Sequence, residues 1–511
     1  MKITIVGGGT AGWLSALYLL GLKDSDYEII IIDSSKIPII GAGEGSTGLL
    51  TDTIEFHKHL GVNELDFLNE TGATPKLGIR FKDWKGSNDE YLSPIIPSNT
   101  TGGVPDYYLL YSIWKDLGFS ETNLFAYMME NDLSTYHKDL RESDGTHAYH
   151  FDAFKVSEYF KKVCSKHNIE IIDSEIVSCA KNSLNGELLT VMLDNGEFHS
   201  SDLWLDCTGF ARTLITEVGN EFRSYEDNIP VNAAIPFLRE YDHNEIIKPE
   251  TLAWAQKNGW MWQIPTRDRM GCGYVYNNNF VSYDNAIDEL EKTIGRKIEP
   301  IRDLKFRPGK ISNMWEKNVI GIGLSSVFIE PLQATSIHIT IVQLMLLTNE
   351  VLKKKKEFTL EEKGKYNSFM NRLCDDYVTF LQIHYLTKRN DSDFWKFCNH
   401  EMVKTERTKE IIKMCEEGCP IPQDFNMYFG YIGWGLYSYT LGGIGQISKF
   451  NSEQILSHFT EFNCEEEIKK LQLNFKDVTQ KYLSNTELIK LLQNKGLNKN
   501  WGSVKNITVR I

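Results

Sequence analysis

Gly7-x-Gly9-x-x-Gly12 stands between an apolar run (Ile3, Ile5, Val6) and a helical stretch carrying Leu14, Ala16, Leu17, Leu19 and Leu20. A second apolar run, residues 29–32, ends at Asp33. Glycines at this spacing make a tight turn, let the backbone approach a pyrophosphate, and let the helix pack close to the strand. The helix start then offers unpaired N–H groups and its positive dipole end to the pyrophosphate, and an acidic residue closing the next strand suits a ribose hydroxyl. Strand, turn, helix and strand in this order predict dinucleotide binding; the other reading is a glycine-rich structural turn. FAD and NAD are not separated by the motif. Further on, Gly259-Trp260-Met261-Trp262-Gln263-Ile264-Pro265 places two indoles on one face of any strand it forms, as a wall or as two core tryptophans. Residues 425–448 hold Phe425, Tyr428, Phe429, Tyr431, Trp434, Tyr437 and Tyr439 among glycines, either lining an aromatic pocket or packing on themselves.

The elements that must position these residues are legible in outline. Alternating strands and helices run weakly on to about residue 210, with a hairpin turn at Asp194-Asn195-Gly196 between 187–193 and 196–200. An apolar strand over 319–323 leads to a long helical pattern over 336–354, and from about residue 358 the chain turns helical and charged. The expected fold is α/β: a Rossmann-like core with an inserted sheet over 1–357, closed by a mostly helical substrate module over 358–511. A net charge of −14 argues against a nucleic-acid partner, which needs a basic face. The nine cysteines are odd in number and contain no CxxC, which speaks against a disulfide framework and a zinc site. The uncharged runs 331–349 and 425–448 are broken by Gln333, His338 and Gln343 or by glycines, so no membrane span is expected. The chain opens directly on a strand, and a cytoplasmic enzyme is the expectation.

Taken together, the blocks resemble the flavin-dependent halogenases, particularly the tryptophan-halogenase branch. Gly7-Gly8-Gly9-Thr10-Ala11-Gly12-Trp13 looks like the opening motif of that family, and Trp260-Met261-Trp262-Gln263-Ile264-Pro265 matches its WxWxIP signature. Gly41-Ala42-Gly43-Glu44-Gly45-Ser46-Thr47 is similar to a loop on its flavin side. Tyr149-His150-Phe151-Asp152-Ala153, Asp206-Cys207-Thr208-Gly209-Phe210 and Gly321-Ile322-Gly323-Leu324-Ser325 match further blocks in family order. Phe328-Ile329-Glu330-Pro331-Leu332, then His384-Tyr385 with Asp391-Ser392-Asp393-Phe394-Trp395, carry the match into the last third.

The resemblance implies an FAD-binding fold, with Gly7, Gly9, Thr10, Ala11, Gly12, Asp33, Glu44, Gly45, Leu324 and Ile337 at the cofactor. It implies that reduced FAD and oxygen oxidise a halide held by the backbone N–H groups of Thr335 and Ser336. The hypohalous acid would pass along a tunnel walled by Trp260 and Trp262 to a lysine, here Lys76, beside a small aromatic substrate. A buried lysine suits that task because desolvation lowers its pKa; the other reading is a surface lysine before a strand. With no second GxGxxG in a strand–helix context, a separate flavin reductase is the expected electron source. No metal is called for, and a homo-oligomer is compatible with the sequence. Two departures matter. Ser336 stands where the tryptophan enzymes carry glycine, and Gln333 where they carry a catalytic glutamate. An amide cannot take a proton as a carboxylate does, which points to electron-rich, phenol-like substrates with bromide or iodide favoured. The alternatives are a flavin-dependent aromatic monooxygenase and a flavin-binding protein that has lost its chemistry.

Overall fold

The computed structural model describes residues 1–22, 27–37, 43–96, 106–139, 146–354, 358–420, 424–425, 432–458 and 463–493. Gly41, Ala42, Tyr428, Phe429 and Tyr431, singled out above, lie outside them.

A six-stranded sheet carries the dinucleotide motif. Its order is Trp315–Glu316, Val319–Gly321, Leu203–Asp206, Lys2–Val6, Glu28–Ile32, Glu170–Ile172, parallel throughout except for the first hairpin. The central strands are short apolar runs buried on both faces, as a covered parallel sheet requires. Val6 pairs with both Ile32 and Asp206, and Asp206 with Gly321, so the C-terminal strand ends meet at one edge. Ligands of such sheets bind at that edge. The helix Thr10–Leu20 covers one face, packed on helices Ala153–Cys164 and Thr335–Met345. The expected hairpin is present: Leu188–Leu193 pairs with Phe198–Ser200, and Gly196 takes the left-handed turn conformation at φ 85°.

The inserted sheet has seven strands, in the order Leu304–Lys305, Ala233–Arg239, Met270–Tyr276, Gly259–Pro265, Glu250–Ala255, Gly78–Lys82, Glu90–Pro94. A small third sheet lies between the two. In it Ala148–Phe151 pairs with Glu44–Gly45 on one side and Thr74–Lys76 on the other. The C-terminal segment is not insulated from this body: one continuous apolar core runs from Ile3 to Leu492. Helix Leu360–Tyr385 buries every residue from Tyr377 to its end. The helical run 332–352 is long and apolar enough to cross a bilayer, but most of it is packed inside this core, as a central helix would be.

One carboxylate ties the small sheet to its surroundings. Oε1 of Glu64 accepts from His147 Nε2 (2.9 Å), Tyr136 OH (2.8 Å) and Tyr149 OH (2.6 Å). Burial alone would raise its pKa, but these bonds outweigh it and hold the carboxyl below its ordinary value. A depressed carboxyl stabilises the fold above its unfolded pKa, and the contribution is lost on acidification. Glu64→Ala should therefore cost about 2–4 kcal/mol at neutral pH, by leaving three buried donors unpaired. Urea unfolding at pH 7 and pH 4 checks this, with a smaller difference expected at the lower pH.

Candidate active site

At the edge of the first sheet the four glycines have different neighbours. A Cβ on Gly7, which sits at φ 104°, would lie 2.6 Å from the Cys207 carbonyl oxygen. One on Gly12 would lie 1.9 Å from the Gly7 oxygen, and one on Gly8 would overlap the Asp33 carboxyl. Gly9 alone faces open space, with nothing within 4 Å. It caps helix Thr10–Leu20, whose first turn has no side-chain cap and no acidic residue. The free N–H groups of that turn thus open on an empty volume that a side chain at Gly9 would fill. These residues suit a pyrophosphate.

Around this cradle lie the other expected cofactor residues. Asp33 accepts from Lys161 at 3.1 Å, and the Thr10 hydroxyl donates to Ala153 O at 3.4 Å. A Cβ on Gly323, next to Leu324, would lie 3.0 Å from the Ala11 methyl, so these two turns touch. Ile337 is buried one turn into helix Thr335–Met345. Glu44 opens the small sheet, its carboxyl pushed up to about 7 by burial and then by Asp152.

Lys76 ends the strand Thr74–Lys76 and is only 4% exposed. Its Nζ donates to the Ser46 carbonyl at 3.2 Å, and among the described residues it has no carboxylate partner. Burial pulls the ammonium down to about 8. Ser46 is itself pinned: its N–H donates to Tyr149 O at 2.8 Å, and the Tyr149 N–H donates to its hydroxyl at 2.9 Å. The buried lysine of the expectation is therefore what the fold provides, and the surface alternative is excluded.

Trp260 and Trp262 do share one face of their strand, with ring centroids 6.3 Å apart. Trp262 lies over Gly273 of the next strand, where a Cβ would collide with the indole at 2.1 Å. Trp260 donates from Nε1 to Glu330 Oε2 at 3.2 Å, and Tyr385 OH donates to the same oxygen at 2.7 Å. Glu330 is fully buried, its other oxygen has no partner among the described residues, and burial pushes its carboxyl up to about 8. Sequence reasoning quoted Glu330 and Tyr385 within blocks but gave neither a role. Nothing in their spacing joins two side chains 55 positions apart.

The expected halide turn follows Glu330. Gln333 (φ 66°) and Ala334 (φ 56°) are both left-handed, and helix Thr335–Met345 starts immediately after them. The strained positions are thus 333 and 334, while Ser336 is helical, so a serine there disturbs no turn that glycine would need. The N–H groups of Thr335 and Ser336 lie in the helix's first turn, where no intrahelical acceptor exists. Gln333 Nε2 lies 2.9 Å from His384 Nε2.

Two outcomes follow from this geometry. Gly9→Val should fold normally yet fail to retain FAD after desalting, whereas Gly12→Val should lose the fold itself; flavin absorbance and circular dichroism separate the two. Lys76→Met should be more stable than the natural chain below about pH 8, by up to about 3 kcal/mol. There the folded protein bears the full burden of a buried charge. From about 8 to 10.5 the folded amine is neutral while the unfolded one is still protonated, so the natural chain gains stability and the difference closes. Denaturant titrations across that range measure it.

The tryptophan halogenase family model matches residues 2–450. The chain is 28% identical over 460 residues to the tryptophan 7-halogenase RebH of Lentzea aerocolonigenes, covering 84% of this chain and 85% of that protein. It is 27% identical to the tryptophan 6-halogenase SttH of Streptomyces toxytricini, covering 86% and 88%. Among solved structures it superposes on Tar14, a tryptophan C-6 flavin-dependent halogenase from taromycin biosynthesis, with a TM-score of 0.87, 25% identity and coverage of 96% and 99%. BrvH, a flavin-dependent halogenase from Brevundimonas sp. BAL3, gives 0.82 at 25% identity over 96% and 99%. A match of that length, on a chain whose cradle suits a dinucleotide, settles the assignment: the chain belongs to the tryptophan halogenase family and is an FAD-dependent halogenase that uses oxygen and halide.

Proposed function

We propose that this enzyme halogenates small, electron-rich aromatic compounds through hypohalous acid handled by Lys76, with reduced FAD delivered by a separate reductase. The observation that carries the reading is the burial of Lys76 against a single carbonyl. Bound reduced FAD, with oxygen, supplies the two-electron oxidation of halide. Gly7, Gly9, Thr10, Ala11 and Gly12 would hold its pyrophosphate, Asp33 its ribose, and Glu44, Gly45, Leu324 and Ile337 its remaining edges. The free N–H groups of Thr335 and Ser336 would hold the halide at a helix start, where an anion is stabilised.

The chain's own side chains then handle the oxidant. Trp260 and Trp262, tethered by Glu330 and Gly273, keep the aromatic substrate apart from the flavin, so oxygen is not transferred to the ring directly. With its pKa drawn toward neutrality, the Lys76 amine engages hypohalous acid by hydrogen bond or by its lone pair, in a site that excludes bulk water. At the ring, carbon–halogen bond formation expels the ring proton, and the oxidant's oxygen leaves as water. Gln333 cannot take that proton, and a general base typically contributes about a hundredfold or more. Only rings that supply their own electron push remain fast. Phenols and activated anilines fit, bromide and iodide suit better than chloride, and free tryptophan fits poorly.

A panel of phenols, anilines and free tryptophan, run with a flavin reductase and each of chloride, bromide and iodide, tests this by product mass. Efficient single-position chlorination of free tryptophan would refute it. Lys76→Ala should still consume oxygen with reduced flavin while regioselective product falls by about a hundredfold; undiminished product would remove Lys76 from the mechanism.

A further inference from the structure

Among the described residues the Gln333 side chain has one hydrogen-bond partner, His384. His384 is fully buried near the end of helix Leu360–Tyr385. Its Nδ1 lies 2.8 Å from the carbonyl oxygen of Phe380, one turn earlier. A carbonyl only accepts, so the proton is on Nδ1 and the neutral ring's lone pair is on Nε2. Burial lowers the imidazole pKa to about 4, so a second proton is absent at neutral pH. Phe380 (4.8 Å), Phe81 (5.3 Å) and Trp84 (6.2 Å) surround the ring and fix its plane. The atom that faces Nε2 at 2.9 Å must therefore donate, and it is the amide nitrogen of Gln333. Thr440 Oγ1 stands farther off, at 3.4 Å.

This orientation has a consequence at the other corner of the amide. With its NH2 engaged by His384, Gln333 presents its carbonyl oxygen away from the imidazole, and that oxygen makes no hydrogen bond among the described residues. The left-handed backbone at φ 66° limits how the side chain can swing. We propose that His384 is a positioning residue that locks Gln333 as a hydrogen-bond acceptor, selecting aromatic substrates that carry an O–H or N–H on the ring. This rests on the reading above and narrows it. A phenol that donates to the amide oxygen gains electron density in its ring without a proton changing hands, which is the activation an amide can provide and a carboxylate is not needed for. An ionised glutamate at 333 has no proton to donate to Nε2, so the pair would need one further proton, held by the carboxyl or by the ring.

The test uses the flavin-loaded enzyme, 15N-labelled at histidine, with kcat/KM measured for a phenol and for its methyl ether. In the natural enzyme the His384 proton should reside on Nδ1. His384→Leu should lower the phenol-over-ether preference by about tenfold or more, mainly through KM for the phenol, with oxygen consumption retained. His384→Gln, whose carbonyl accepts the same bond, should restore most of the preference. A proton found on Nε2 in the natural enzyme, or an unchanged preference in His384→Leu, overturns the inference. If His384→Leu does not fold, Gln333→Leu must show the same loss of preference, and an unchanged preference there overturns it equally. Absence of halogenation of any phenol by the natural enzyme overturns the functional reading, and this inference with it; halogenation with an unaltered preference overturns this inference alone.

Discussion

Keeping the amine of Lys76 out of water, with one carbonyl as its partner, governs how the rest of the site is built. An ammonium in that position costs several kcal/mol, and only a rigid surrounding keeps out the water or carboxylate that would relieve the cost and raise its pKa again. The fold supplies rigidity in layers. Ser46, which offers the carbonyl, is tied to the Tyr149 backbone through both its own N–H and its hydroxyl. Tyr149 belongs to the strand that also pairs with Lys76's own strand, and its hydroxyl ends on Glu64. The nearest titratable ring, His150, is buried, its hydrogen bond is to the neutral Thr251, and burial and then the lysine's charge hold its pKa well below the ordinary value. A neutral ring beside the amine adds no competing positive charge.

The indole wall obeys a similar logic with the opposite sign of charge. Trp260 is anchored by a carboxyl that burial makes far easier to protonate than an exposed glutamate. Two donors converge on one of its oxygens, while among the described residues the other oxygen, Trp262 Nε1 and His150 Nδ1 are buried without a hydrogen-bond partner.

What the sequence revealed followed the range of each signal. Gly7, Gly9 and Gly12 are read within a few residues of one another, and the structure gives Gly7 and Gly12 each a distinct steric reason, while of the three Gly9 alone faces open space. The alternation of Trp260 and Trp262 is a period-two signal, and it survives as a shared strand face. Lys76 was harder, because a three-residue strand containing proline has no periodicity to detect; its burial depends on strands whose pairing no local pattern specifies. His384 as the partner of Gln333, and Glu330 beneath Trp260, were invisible for the same reason. Each contact joins segments more than fifty positions apart, and the burial that gives it meaning exists only after the two sheets and helix Leu360–Tyr385 close together.

The arrangement of the first sheet also sets a timetable for synthesis. The strand that carries the glycine turn is made well before two of its sheet companions, yet it lies at the centre of the sheet, with Leu203–Asp206 and then Val319–Gly321 on one side. Gly7 is shaped against the carbonyl of Cys207, and Ala11 against the turn at Gly323. Glu28–Ile32 can cover one edge of this apolar strand early, but the other stays open until Leu203–Asp206 has been made, a condition that invites mispairing. Flavin cannot rescue it early, since the cradle does not yet exist. A dinucleotide in this cradle can therefore steady only chains in which the segments around Cys207 and Gly323 are already in place.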